Sequence, residues 1–124
     1  MLGHKLVQSW SGRFDVWTTL KGKFENYEKY GIYNKNQTLE SVDVEDFNNL
    51  EILVKQIQPQ VIFNAVGIIK QLPTSKNVVK TLLINSILPH RLGKIASEIN
   101  AKLINISTDC VFDGAEGNYS EIDN

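Results

Sequence analysis

The chain has 124 residues, of which 42% are hydrophobic and 22% charged, and 13 basic against 14 acidic side chains leave a formal net charge of -1. This is the composition of one globular domain with a modest core and excludes a disordered segment. The near-neutral balance gives no electrostatic footprint for nucleic acid or an anionic membrane, and no apolar run approaches the roughly 18–20 residues that span a bilayer.

Cys110 is the single cysteine, so no internal disulfide can form, which fits a reducing compartment. No long apolar stretch follows Lys5 near the amino terminus, so no signal peptide is read there. The expectation is a soluble, cytoplasmic protein with no nucleic-acid or membrane partner.

In chain order, Gly3 to Trp10 reads as a helix, because Leu6, Val7 and Trp10 fall on one face, and Ser11-Gly12 stops it. Asp15 to Leu20 is β-branched and aromatic and predicts a strand. Lys21 to Gln37 is polar and tyrosine-rich and reads as a loop with room for one short helix, and Thr38 to Val44 alternates as a short strand does. Asp46 to Gln58 carries the apolar stripe Phe47, Leu50, Leu53, Val54 and Ile57, and Pro59 closes that helix. Val61 to Val66 is a continuous apolar strand of the kind buried on both faces of a parallel sheet, ending at Gly67. Asn77 to Ile99 predicts one long helix bent at Pro89, Lys102 to Ser107 another buried strand, and Asp113 to Asn124 a polar tail.

Strands separated by helices imply parallel pairing through right-handed crossovers, hence an α/β, doubly wound parallel sheet. Such sheets bind ligands beyond the carboxyl ends of their strands. Polar and small residues gather at those ends here: Asp43, Asn64 to Gly67, and Ser107 to Asp109. A doubly wound sheet opens with a strand, whereas this chain opens on a helix, and it stops after a strand and a polar loop. The expectation is an incomplete domain over residues 1–124, lacking its first strand and a C-terminal substrate domain.

The run Ser107-Thr108-Asp109-Cys110-Val111-Phe112-Asp113-Gly114, followed by Tyr119-Ser120-Glu121, resembles the S-T-D-x-V-F-D-G…Y-x-E signature of the dTDP-4-dehydrorhamnose reductase family, within the extended short-chain dehydrogenases/reductases. Asn64-Ala65-Val66-Gly67 resembles the family's N-A-A-G strand end, Asn85 its helix asparagine, and Met1-Leu2-Gly3-His4-Lys5-Leu6 the tail of its G-x-x-G-M-L-G-x-x-L fingerprint. The matches are collinear over nearly the whole chain. The first run is specific, and N-A-V-G alone is weak.

The resemblance implies a partial NAD(P)-binding Rossmann domain and the following site. Leu2 and Gly3 open a helix whose free N–H groups face the cofactor pyrophosphate. Lys21, with Lys23 beside it and no acid before Glu25, favours the 2′-phosphate of NADP, with NAD as the other cofactor this fold takes. Asp43 accepts from the adenine amino group and Val44 packs on the ring; the plainer reading of Asp43 is a cap or loop aspartate. Asn64, Ala65, Val66 and Gly67 form a wall small enough for the ribose and nicotinamide to approach, although Val66 is bulkier than the family's alanine. Ser107 lines the pocket. Thr108 is the catalytic hydroxyl, bonding the substrate C4 oxygen beside a proton-donating tyrosine. Asn85 holds a water and backbone geometry near the catalytic lysine, or is simply a satisfied core amide. Asp109 and Asp113 lack a neighbouring histidine, so no metal is expected.

The family's Tyr-x-x-x-Lys pair, which places both groups on one helix face so that the ammonium lowers the phenol pKa, does not follow any of Tyr27, Tyr30, Tyr33 or Tyr119. The resemblance thus implies a fragment of a nucleotide-sugar reductase or epimerase serving cell-surface polysaccharide synthesis, inactive by itself, with a nucleotide-sugar substrate in the full-length protein and compatible with a homodimer. The alternative is a non-catalytic dinucleotide-binding or regulatory module of the same fold, as in the regulatory subunit of methionine adenosyltransferase.

Overall fold

The computed structural model describes residues 2–69, 73–107, 115 and 117–120. Helix α1 (Leu2–Trp10) ends where the Ser11 hydroxyl donates to the Val7 carbonyl at 2.7 Å and the Arg13 and Phe14 amides turn back to Trp10. Strand β1 (Thr18–Thr19) pairs in parallel with β2 (Thr38–Leu39), Thr18 opposite Thr38, and their hydroxyls lie 2.9 Å apart. Helix α2 (Phe47–Ile57) begins on an Asp46 carboxylate that accepts the Asn49 amide at 3.1 Å. It ends on Gln58, whose left-handed backbone (φ 51°) returns its N–H to Val54. Strand β3 (Val61–Asn64) pairs in parallel with β4 (Lys102–Asn105), Ile62 opposite Leu103, with helices α3 (Val78–Leu82) and α4 (Leu88–Glu98) between them.

The core is the cluster Val42, Leu50, Leu88 and Leu92, with Leu88 only 1% exposed. Leu39, Val44, Ile62 and Leu103 pack against it, so both strand pairs rest on the α2–α4 layer. Successive strand residues face opposite ways. While Ile62 joins that core, the Phe63 ring meets Trp10 of α1 edge-on at 5.4 Å between centroids. Helices therefore cover both faces, which is the doubly wound α/β arrangement read from the sequence.

Several expectations are corrected. The strand read over residues 15–20 is hydrogen-bonded as a strand only at Thr18–Thr19, and the one read over 38–44 only at Thr38–Leu39. Ser41 takes a left-handed φ of 57° and swings the chain back, its N–H donating to Gly22 and that of Val42 to Leu20. The segment 21–37 holds three single turns of 3-10 helix rather than one short helix: Phe24–Asn26, Glu28–Tyr30 and Lys35–Gln37.

Strands β3 and β4 end at Asn64 and Asn105, short of residues 66 and 107. They are not buried on both faces either: Val61 is 46% exposed and Ile104 44%. Nor does one continuous helix span 77–99, because residues Leu83–Ile87 form a π-helical turn in which the Leu88 N–H donates to Leu83, five residues back. Pro89 supplies the cause: it has no N–H to continue the ladder and its ring crowds the carbonyl four residues earlier. The proline thus sits in the first turn of α4 rather than inside one bent helix. Among the described residues no helix is long and apolar enough to cross a membrane.

Leu88→Ala is expected to lower unfolding stability by about 2–5 kcal/mol, since it empties the most enclosed site of the core. A urea titration followed by circular dichroism measures it, and a loss below about 1 kcal/mol would show that the α4 contact is not the centre of the core.

Candidate functional site

The carboxyl ends of the strands converge with the start of α1 on one cleft. Its walls include Gly3, Lys21, Val44, and the run Asn64, Ala65 and Val66. A Cβ built on Gly3 would stand 3.9 Å from the Ala65 Cβ, so the amino end of α1 lies directly against the end of β3. At nine residues α1 concentrates about half a positive charge and several free N–H groups at that end. No acidic side chain in its first turn competes with an incoming anion.

Asn64, 5% exposed, fixes the turn out of β3. Its Nδ2 donates to Asn105 Oδ1 at 2.7 Å, and its Oδ1 accepts the Val66 N–H at 3.1 Å. The Ile106 N–H in turn donates to the Asn64 carbonyl at 3.2 Å. The ends of β3 and β4 are therefore stitched by a pair of amides, Asn64 buried and Asn105 exposed. Asn105 was not singled out from the sequence; its signal is a lone amide at the end of the apolar run Leu103-Ile104.

Asn85 sits in the π-helical turn and grips the loop after β3 at two points. Its Oδ1 accepts the Ile68 N–H and its Nδ2 donates to the Ile68 carbonyl, both at 2.8 Å. The amide imitates a strand partner for that one residue. Gly67 lies beside the same amide, where an added Cβ would meet Asn85 Oδ1 at 3.6 Å, an ordinary contact. Neither Gly3 nor Gly67 is therefore demanded by crowding within the chain, and Gly3 lines the cleft.

Asp43 is exposed, and one carboxylate oxygen accepts the Glu45 N–H at 3.0 Å. The cap of α2 is Asp46, so Asp43 belongs to the turn before it. Val44 packs on the core cluster and also lines the cleft. Lys80 reaches across from α3 to pair with Glu45, and the carboxylates of Glu45 and Asp43 raise its pKa.

Lys21 is exposed at the rim, and Tyr27 and Tyr33 line the same cleft. Tyr33 stacks edge-on to Tyr27 at 6.1 Å and to His4 at 5.7 Å. Burial, with the neighbouring Tyr27 and Tyr30, pushes the Tyr33 phenol above its ordinary value. A Cβ on Gly22 would come within 3.2 Å of the Tyr27 ring, so the small residue is what lets this aromatic wall close on Lys21. Three tyrosines spaced three apart are the signal that marks the wall in sequence.

Ser107 is exposed just past β4. Thr108, with Asp109, Cys110 and Asp113, lies outside the described residues. The structure thus gathers Leu2, Gly3, Lys21, Val44, Asn64, Ala65 and Val66 at one end of the sheet, with Asp43, Gly67, Asn85 and Ser107 on the adjoining loops and helix.

The profile of the family described as RmlD substrate binding domain matches residues 13–124. The chain belongs to the RmlD substrate binding domain family. No curated protein matches the chain in sequence. Among solved structures, this RmlD-family chain resembles a hypothetical dTDP-4-dehydrorhamnose reductase from Sulfolobus tokodaii, with a TM-score of 0.66, 24% identity, and 88% of this chain and 45% of that one covered. It also resembles the dTDP-4-dehydrorhamnose reductase from Bacillus anthracis str. Ames solved in complex with NADP, with a TM-score of 0.56, 20% identity, and 79% and 38% covered. At these identities the likeness establishes the fold. The chain spans less than half the length of either neighbour.

Removing the Asn85 amide is expected to free the loop it grips. In Asn85→Ala the Ile68 amide should exchange about tenfold faster or more, the loss of about one hydrogen bond's worth of protection. Unchanged exchange at Ile68 would show that the loop is held by other contacts.

Proposed function

We propose that residues 1–124 form a partial NAD(P)-binding Rossmann domain of a reductase acting on a 4-keto sugar linked to a nucleoside diphosphate. The observation that carries this reading is the meeting of the α1 amino end, Lys21, Val44 and the Asn64–Val66 wall on one cleft at the carboxyl ends of parallel strands. Doubly wound sheets hold dinucleotides at such a place. Membership of the RmlD family and the NADP bound to the Bacillus anthracis neighbour support the same choice of ligand.

The residues fit that ligand chemically. The N–H groups of Leu2 and Gly3 and the helix dipole suit a pyrophosphate. Lys21 suits a 2′-phosphate, which favours NADP over NAD. Asp43 keeps acceptor capacity for an adenine amino group beyond its bond to Glu45, and Val44 offers an apolar surface to the ring. Asn64, locked by Asn105 and Val66, fixes the wall of Ala65, Val66 and Gly67 against which a ribose and nicotinamide would lie.

When bound, the nicotinamide supplies hydride. The Thr108 hydroxyl would bond the sugar C4 oxygen, Ser107 would line the pocket beside it, and Asn85 would hold the loop that faces both. The substrate would be a nucleotide-sugar, the product would serve cell-surface polysaccharide synthesis in the cytoplasm, and the assembly would be compatible with a homodimer. Epimerisation is the neighbouring chemistry on this fold. A second reading is a dinucleotide-binding or regulatory module of the same fold without turnover.

NADPH and NADH titrations of the 124-residue chain, followed by amide chemical shifts, test the reading. NADPH is expected to perturb residues 2–4, 21, 43–44 and 64–67, weakly but ahead of NADH, and Lys21→Glu to cut the NADPH preference by about tenfold or more, some 1.4 kcal/mol. Perturbations absent from these positions, or a preference untouched by the charge reversal, would overturn the cofactor reading. No turnover is expected, and NADPH-dependent reduction by the 124-residue chain would overturn the role given to a separate tyrosine.

A further inference from the structure

Three carboxylates, Asp43, Glu45 and Asp46, crowd the turn that leads from β2 to α2, and each is held differently. Asp46 caps α2 by accepting the Asn49 N–H at 3.1 Å. Asp43 accepts the Glu45 N–H at 3.0 Å, and the Asp46 N–H returns to the Asp43 carbonyl at 3.1 Å. These bonds join neighbours in sequence, so they shape the turn without aiming it at the rest of the molecule. Two contacts aim it. Val44 packs on the core cluster, which is non-directional, and the Glu45 carboxylate pairs with the Lys80 ammonium of α3, 35 residues further on. Both partners of that pair are only 28% exposed.

We propose that Lys80 is a positioning residue for the adenine end of the cleft: by drawing the Glu45 carboxylate onto α3, it leaves the second oxygen of Asp43 as the acceptor presented to an adenine amino group. The inference rests on the cofactor reading above and adds to it a residue that lies outside the cleft.

Val44 lines the cleft, whereas Glu45, next in the chain, is turned to α3. Without its partner, Glu45 would be a second unpaired acid beside Asp43, repelling it and disfavouring the approach of an anionic dinucleotide. Lys80 responds to both acids: its hydrogen bond to Glu45 and the charges of Glu45 and Asp43 raise its pKa, so it stays ionised. Its own place is fixed by the start of α3, where the Asn77 side chain accepts the Lys80 N–H at 3.0 Å. Helix α3 runs directly into the π-helical turn that carries Asn85. One helical body therefore grips the adenine end through Lys80 and the loop after β3 through Asn85.

The test compares NADPH with its hypoxanthine analogue, in which a carbonyl oxygen replaces the adenine amino group. Each is titrated into the 124-residue chain and followed by amide chemical shifts. The unmutated chain is expected to bind NADPH about fivefold more tightly or better, the worth of one hydrogen bond to a charged group. Lys80→Met should bring that ratio to within about twofold by weakening NADPH, and leave the preference for NADPH over NADH unchanged. Lys80→Arg, which keeps charge and reach, should restore the ratio. Glu45→Ala, which leaves Lys80 to turn to Asp43 and occupy its acceptor oxygen, should lose it.

An unchanged ratio in Lys80→Met or in Glu45→Ala would overturn the proposal. So would an equal weakening of both ligands, the mark of a merely structural contact. Should circular dichroism show that Lys80→Met does not fold, Glu45→Ala decides. Shifts at residues 2–4, 21 and 64–67 of the unmutated chain without any preference for NADPH over the analogue would overturn this inference and leave the cofactor reading. Absence of those shifts would remove the cofactor reading and this inference with it.

Discussion

The packing of Leu88 and Leu92 is the interaction on which the rest of the molecule depends. Two parallel ladders that share no backbone hydrogen bond among the described residues are held as one body because both lean on the same helical layer, Leu39 and Val42 from one side and Ile62 and Leu103 from the other. Hydrogen bonds set the register within each pair, and apolar burial, with the Lys80–Glu45 and Lys55–Glu98 ion pairs beside it, sets the distance between the pairs. Such burial contributes about 25 cal/mol per Å² and is non-directional. The cleft at the carboxyl ends is therefore as well defined as this cluster is well packed.

Directional contacts then refine what the cluster positions roughly. The Asn64–Asn105 pair and the Asn85 grip on Ile68 place the same short wall from two sides, one from the neighbouring strand and one from a helix. Each uses an amide because an amide both donates and accepts, so it can satisfy a backbone or another amide without bringing in charge. Asn85 reaches Ile68 from a π-helical turn that Pro89 imposes. A proline that looks like a defect in the helix is thus linked to the geometry of the loop at the site.

The sequence was most legible where a local rule and a tertiary contact agree. Helix α2 has its capping Asp46, its apolar stripe and a stop at Gln58-Pro59, and all three act within a dozen residues. That Asp43 and Asn64 to Gly67 follow the carboxyl ends of strands was legible from the alternation of strands and helices. The strands at 15–20 and 38–44 were read too long. β-branching favours an extended chain but does not supply a partner, and Ser41 turns the second of them away after Leu39. The π-helical turn, the Asn105 partner and the tyrosine wall at Tyr27 and Tyr33 were not legible. The Asn105 partner lies 41 residues from Asn64, whereas the turn before Pro89 and the tyrosines are local but do not alter the apolar periodicity that marks a helix or a strand. The catalytic hydroxyl expected at Thr108 rests on the resemblance of its motif alone.

The cleft is the open end of a gap between the two strand pairs. Along the strands its walls are apolar, and at their carboxyl ends the same strands deliver Lys21, Asn64 and the amino end of α1. Whatever fixes the separation of β1 from β3 therefore fixes the distance from Lys21 to Gly3, on which any ligand spanning a 2′-phosphate and a pyrophosphate depends. Affinity for a dinucleotide is reduced by the fraction of molecules in which that distance is wrong. The apolar centre of the sheet and the polar chemistry at its end are thus set by one quantity, the width of a gap between two strand edges.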